Sequence, residues 1–180
     1  MNLAIFDFDG TITDRDSFKD FIVFTHGPGK MLLGILALSP VLFLYLIKCL
    51  SSSRTKEFVI THFYRGWDQK RLQHLGERYA QDRLPQIIKQ SALDRITWHQ
   101  SKGDRVVVVS ASPEIYLRPW CGQQRVELLA TRLQVHEEKI TGKIDGKNCV
   151  KEEKVTRLKE YLDLTSFGHI TAYGDSAGDS

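Results

Sequence analysis

Apolar residues recur along the chain in two rhythms. Short unbroken runs, Leu3-Ala4-Ile5-Phe6, Val106-Val107-Val108-Val109 and Ile170-Thr171-Ala172-Tyr173, each stop abruptly in a polar loop. That is the pattern of strands buried on both faces of a parallel sheet. Between residues 17 and 99 the spacing is helical instead: Phe18, Phe21 and Ile22, then the apolar stretch 31–50, then Phe58, Ile60 and Phe63, then Leu72, Leu75 and Tyr79. The spacing predicts roughly 80 residues of mostly helix, forming a layer of its own.

After the turn Lys102-Gly103-Asp104, a strand is expected over 105–110, and a helix is expected to start with Ser112 as N-cap and Pro113 at its first position. Residues 128–135 read as a further strand, and 139–146 as a small β-excursion turning at Asp145-Gly146. Residues 151–164 carry Val155, Leu158 and Leu162 on one helical face, and the strand at 170–173 delivers Gly174-Asp175-Ser176-Ala177-Gly178-Asp179. Strands alternating with helices imply a Rossmann-like parallel α/β sheet, whose ligands gather at the carboxyl ends of the strands. Asp7, Ser110 and Asp175 all fall there. The expected division is a core of residues 1–14 and 100–180, with a helical cap, 15–99, inserted between.

A chain of 180 residues, 42% of them apolar, can bury one substantial core. Its net charge of +3 comes from scattered Lys and Arg with no dense basic stripe, which argues against a nucleic-acid partner. Cys49, Cys121 and Cys149 lie far apart with no CxxC pair, which fits a reducing cytoplasm rather than a disulfide framework or zinc site. Met1 to Asp7 has no basic n-region, so no ordinary secretory signal is expected. The six histidines are scattered without ligand spacing, and Trp67, Trp98 and Trp120 read as packing residues.

The candidate chemistry lies in Asp7-Phe8-Asp9-Gly10-Thr11. In an extended chain this spacing places Asp7, Asp9 and Thr11 on one side. A carboxylate can attack phosphorus, but its approach to a dianionic phosphate calls for a divalent cation. Magnesium prefers a few carboxylate oxygens, which Asp7 and Asp175 would supply with Asp179 in support. Asp9 is then available to protonate the leaving alcohol and later to deprotonate the hydrolytic water. Ser110, with the amides behind it at Ala111 and beyond, offers hydrogen bonds to phosphate oxygens, and Lys154 a compensating charge. Each piece has a bland alternative: a solvated turn, a commonplace strand end, a surface lysine with Lys151 as its rival. Their order and their placement at predicted strand ends favour the chemical reading.

In these four motifs the sequence resembles the haloacid dehalogenase superfamily, and its long helical insertion is similar to the cap of the subfamily IB that includes phosphoserine phosphatase and phosphatidylglycerophosphatase C. Asp14 to Phe18, Ile140-Thr141-Gly142 and Asn148-Cys149 ahead of Glu153-Lys154 are further local matches. The resemblance implies a Mg2+-dependent phosphatase acting on a phosphorylated small molecule or lipid. Asp7 would be the nucleophile, Asp9 the general acid/base and a metal ligand through its carbonyl, and Ser110 and Lys154 phosphate-binding groups. Asp175 would be a metal ligand supported by Asp179. Asp16 stands where the phosphoserine enzymes place a substrate-facing Glu, but is one carbon shorter. The family continues beyond its fourth motif, so a longer natural chain than one ending at Ser180 is expected. A dehalogenase would lack the second acid, so Asp9 favours phosphoryl chemistry. Phosphotransfer to an alcohol, a receiver-type signalling domain and a non-catalytic membrane-associated adaptor are the competing classes.

Residues 31–47 carry no charge and are flanked by Lys30 and Lys48. A single membrane crossing would separate Asp7 from Ser110. Two readings remain: a buried helix pair kinked at Pro40, or a hairpin over 31–50 that touches the inner face of a membrane.

Overall fold

The computed structural model describes residues 1–150 and 152–174. In chain order the elements are β1 (Leu3–Phe6), α1 (Ser17–His26), α2 (Pro28–Ala37), α3 (Ser39–Leu46), α4 (Ser52–Tyr64), α5 (Gln69–Asp82), α6 (Gln90–Ser101), β2 (Arg105–Pro113), α7 (Glu114–Gln124), β3 (Glu127–His136), β4 (Lys139–Asp145), α8 (Glu152–Tyr161) and β5 (Ile170–Tyr173). The strands form one sheet in the order β4-β3-β2-β1-β5. β1 pairs in parallel with both β2 and β5, Ile5 standing opposite Val107 on one side and Ala172 on the other. The chain leaves β1 toward β2 and β3 and returns to β5 on the opposite flank. The carboxyl end of β1 is thus the switch point at which an α/β sheet collects its ligands.

The apolar runs fold as their pattern dictates. Leu3, Ala4, Val107 and Val108 are fully buried between helical layers, and each such side chain contributes about 1.5–3 kcal/mol relative to exposure for residues of valine size and above. Phe8, Ile12, Tyr64, Leu72, Tyr79 and Tyr116 join the helical layer to the sheet in one continuous core. Trp120 is buried and meets Phe8 edge-on, with ring centroids 5.2 Å apart.

Four expectations need correction. β2 continues through Ser112 to Pro113, and α7 begins at Glu114 with no side-chain cap, because the Ser112 hydroxyl is committed elsewhere. The turn between β3 and β4 falls at Glu137 and Glu138, both at positive φ, rather than at Asp145-Gly146, because β4 pairs antiparallel with β3 from His136 opposite Lys139 onward. Trp98 is exposed rather than packed inside, with the Lys102 ammonium 3.8 Å from its ring centroid. The 31–47 stretch is two short helices, α2 and α3, bent by 64°, and most of its large side chains face outward, so the reading of a buried helix pair is overturned.

The β3–β4 hairpin also reaches the helical layer. Gly66 N donates to the Ile140 carbonyl at 2.8 Å and Ile140 N to the Trp67 carbonyl at 2.9 Å. Thr61 Oγ1 donates to the Gly142 carbonyl at 3.1 Å, an approach that Gly142, at φ +92°, permits because it has no Cβ.

Candidate active site

Asp7 stands immediately beyond β1, its amide donating to the Tyr173 carbonyl at the end of β5, 2.9 Å away. Past it the chain is not extended. The amides of Ile12 and Thr13 both donate to the Phe8 carbonyl, at 2.9 and 3.0 Å, closing a tight turn with Gly10 at φ +81°. This corrects the period-two projection of three side chains. Thr11 lies inside the turn, and its buried Oγ1 finds no protein partner among the described residues. Lys89 from the start of α6 donates to the Gly10 carbonyl, and Lys89 N to the Ile12 carbonyl at 2.8 Å, so the turn is held from the helical side as well.

Lys154 on α8 approaches Asp7 with Nζ 2.8 Å from Oδ1, and both side chains are mostly buried. An ion pair in such a setting is screened little by solvent. The Asp9 carboxylate is gripped from two directions: Ser112 Oγ donates to Oδ2 at 2.5 Å and the Ser17 amide to Oδ1 at 2.7 Å. Behind these groups, Ser17 Oγ lies 3.1 Å from the Tyr116 hydroxyl, and the Tyr79 hydroxyl donates to the Ser17 carbonyl at 3.2 Å. Desolvation pushes the Asp9 carboxyl above the usual carboxylate range, against the lowering effect of the Ser112 and Ser17 bonds. A carboxyl placed so can carry a proton nearer neutrality than an exposed one.

Ser110 is fully buried at its position in β2, and its Oγ accepts from the Ser112 amide at 3.0 Å. The Ala111 carbonyl accepts from Lys56 Nζ at 2.7 Å. Lys56 comes from α4. Burial pushes its ammonium below the usual lysine range, while the nearby Asp9 and Asp16 act in the other direction. Asp16 caps α1, accepting from Lys19 N at 3.0 Å, and pairs with Lys19 Nζ at 3.3 Å. Asn148 and Cys149 precede α8: Thr131 Oγ1 donates to Asn148 Oδ1 at 2.9 Å and accepts from Cys149 N at 3.1 Å, which sets the path that delivers Lys154. Burial pushes the Cys149 thiol up to about 11. Asp175, Asp179 and Lys151 lie outside the described residues.

The structure therefore brings together Asp7, Asp9, Ser110, Ala111 and Lys154 from the turn after β1, from β2 and from α8. It adds three groups that the sequence reading did not assign: Ser17 and Ser112 on Asp9, and Lys56 on Ala111. Ser112 had a legible signal, since Ser110 and Ser112 share one side of an extended strand. Lys56 had none, being one charged position beside Arg54 and Glu57. Hard oxygen donors suit magnesium, and the Asp7 carboxylate and Asp9 carbonyl are donors of that kind on one tight turn. Their chemistry fits the ion.

The chain belongs to the haloacid dehalogenase-like hydrolases, whose family model matches residues 4–180. Among similar proteins, Protein CicA of Caulobacter vibrioides is 32% identical over 180 residues, covering 99% of this chain and 80% of the relative. A histidinol-phosphatase of Neisseria meningitidis serogroup C is 27% identical, covering 99% and 84%. A phosphoserine phosphatase solved as a phospho-aspartyl intermediate analogue superposes with a TM-score of 0.63 at 16% identity, covering 93% of this chain and 73% of its own.

Proposed function

We propose that the chain hydrolyses a phosphomonoester through a phospho-aspartate on Asp7, with Mg2+ as cofactor and a small organic phosphate or a lipid phosphate as substrate. The observation that carries this reading is the pairing of two unlike carboxylates on one turn: Asp7 faces the Lys154 cation at 2.8 Å, whereas Asp9 is raised by desolvation and held by Ser112 and Ser17. Environments that push two acids apart divide their roles. Asp7, beside the Lys154 cation, supplies the nucleophilic oxygen: its bond to phosphorus forms as the bond from phosphorus to the ester oxygen breaks. Asp9 gives its proton to the departing alkoxide. It then takes a proton from the water whose oxygen attacks phosphorus, releasing inorganic phosphate and the free Asp7 carboxylate.

Ser110 and Lys154 hold phosphoryl oxygens, and the buried Thr11 hydroxyl, which has no hydrogen-bond partner among the described residues, is a further donor. Magnesium, held by the Asp7 carboxylate, the Asp9 carbonyl and Asp175 with Asp179 in support, would offset charge repulsion between Asp7 and the phosphate. Residues 15–99 act as a cap, and through α4 they bring Lys56 to the Ala111 backbone, where its charge favours an anionic substrate and Asp16 lies close by. The names of the relatives, a histidinol-phosphatase and a phosphoserine phosphatase, point to the same class of bond.

The test is turnover of an aryl phosphate with and without EDTA, together with mass spectrometry of the acid-quenched enzyme. Wild type should turn over only with magnesium and show a phosphorylated Asp7 peptide. Asp7→Asn should show neither turnover nor phosphopeptide. Substantial turnover by purified Asp7→Asn would overturn the mechanism, and transfer of the phosphoryl group to an added alcohol at the expense of water would replace hydrolase by phosphotransferase.

A further inference from the structure

The inner side of the α2–α3 pair is fastened to the protein. Gly34 lies so close to α4 that a Cβ there would stand 2.2 Å from Phe63 Cζ, and Leu38 at the elbow is buried in the core. Met31, Val41 and Leu42 are partly buried beside them. The outer side is almost wholly apolar: Leu32, Leu33, Leu36, Phe43 and Leu46 are 60% to 75% exposed. Among the described residues, nine of the fifteen exposed large hydrophobic side chains fall between Leu32 and Ile47. Scattered exposed apolar residues are ordinary, but such a concentration on one rigid projection marks a surface meant to be covered.

The charge pattern selects what covers it. No Asp or Glu occurs between Asp20 and Glu57, while Lys30, Lys48, Arg54 and Lys56 do, and the exposed Lys30 and Lys48 stand at the two ends of the apolar face. A second copy docked face to face would set these lysines near one another with no local acid to answer them. Anionic headgroups would supply the missing negative charge. Length excludes a crossing: α2 and α3 have 10 and 8 residues, about 15 and 12 Å, against a hydrocarbon core of about 30 Å. Among the described residues no single helix is long and apolar enough to cross a membrane, and the two together are bent by 64°.

We infer that the α2–α3 elbow docks in the interface of an anionic phospholipid bilayer, with its apolar side chains below the headgroups and Lys30 and Lys48 at the phosphate level. The geometry is that of an interfacial element lying in the membrane plane, where apolar burial and basic flanks act together. It does not depend on the catalytic reading, and it explains why a phosphatase should expose so much apolar surface.

The experiment is co-sedimentation of the full chain with vesicles of phosphatidylcholine alone and of phosphatidylcholine mixed with phosphatidylglycerol. Wild type should pellet with the mixed vesicles and be progressively released by salt. Leu36→Glu/Leu46→Glu should lower partitioning roughly tenfold or more, while its turnover of a soluble aryl phosphate matches wild type. Lys30→Glu/Lys48→Glu should lose the preference for anionic vesicles. Asp7→Asn should still pellet, which separates this inference from the catalytic one. Wild type that stays in solution with both vesicle types would overturn the inference. So would a dimer in solution that Leu36→Glu/Leu46→Glu converts to monomer without any vesicle binding, since a second copy would then be what covers the face.

Discussion

Replacing Ser112 by Ala removes one oxygen, 2.5 Å from Asp9 Oδ2, and leaves the Ser17 amide as the remaining grip on that carboxylate. A hydrogen bond to a charged group contributes about 1.5–3 kcal/mol. Its loss falls on the ionised form of Asp9 alone. The carboxyl should therefore move still higher than its already raised position. The sign differs between the two chemical steps. Protonating the leaving group uses the acid form, which gains. Activating water uses the carboxylate, which loses about ten- to a hundredfold at a pH below the new titration point. With an alkyl phosphomonoester and phosphate release as the assay, the acid limb of kcat should therefore move toward higher pH where breakdown of the phosphoenzyme limits turnover. Phosphoenzyme should also accumulate in quenched samples. Ser112→Thr, which keeps the hydroxyl, should restore the wild-type limb. A folded Ser112→Ala enzyme with an unmoved acid limb and no accumulated phosphoenzyme would refute the role given to this contact.

Lys56→Met should raise KM for anionic phosphomonoesters about tenfold or more with a smaller change in kcat, as expected for binding shared by ground and transition states; steady-state kinetics with unchanged KM would remove Lys56 from the substrate site. Gly142→Ala places a Cβ 2.4 Å from Thr61 Oγ1 and 2.9 Å from the Thr61 Cα, at a φ of +92°, and should cost about 2 kcal/mol, lowering Tm by about 4–8 °C; calorimetry showing no loss would deny the close packing. Asp104 is held below the usual carboxylate range, first by the His99 hydrogen bond at 2.8 Å and then by Asn2. Its stabilising effect is therefore present above the ordinary carboxylate pKa and lost as pH falls through the depressed folded one. Asp104→Asn should flatten the decline of stability below about pH 4, measured by urea unfolding across acid pH.

The strands of the core were largely legible in the sequence, because a short apolar run ending in Asp or Ser has few alternative folds. β1 and β5 have the expected limits, and Lys154 reaches Asp7 from a helix that ends at Tyr161 rather than Leu164, with Leu158 buried as expected but Val155 exposed. What could not be read depends on contacts distant in sequence. Ser112-Pro113 has the composition of a helix start, and its meeting with Asp9, on the turn beyond β1, holds it in the extended strand instead. Glu137 and Glu138 are not residues that advertise a turn at positive φ, so the hairpin was displaced by one strand length. Hydrophobicity assigns residues 31–47 to some apolar environment without saying whether protein supplies it. In the structure Gly34 lies against Phe63 while Leu36 and Leu46 face outward.

The backbone ladder between Gly66-Trp67 and Ile140 changes how this enzyme can open. A cover joined to its base by two chain segments swings like a door on a hinge. On the proposal that residues 15–99 are such a cover, the β3–β4 hairpin is a strut fixed to it, so a wide swing would either snap the Gly66–Ile140 and Ile140–Trp67 bonds or drag the outer edge of the sheet along. Substrate exchange should accordingly proceed by a small-amplitude yielding in which the cover and that sheet edge move as one piece. The amides of Gly66 and Ile140 would then stay protected from hydrogen exchange during turnover, even as those nearer Asp14 and Ser17 exchange.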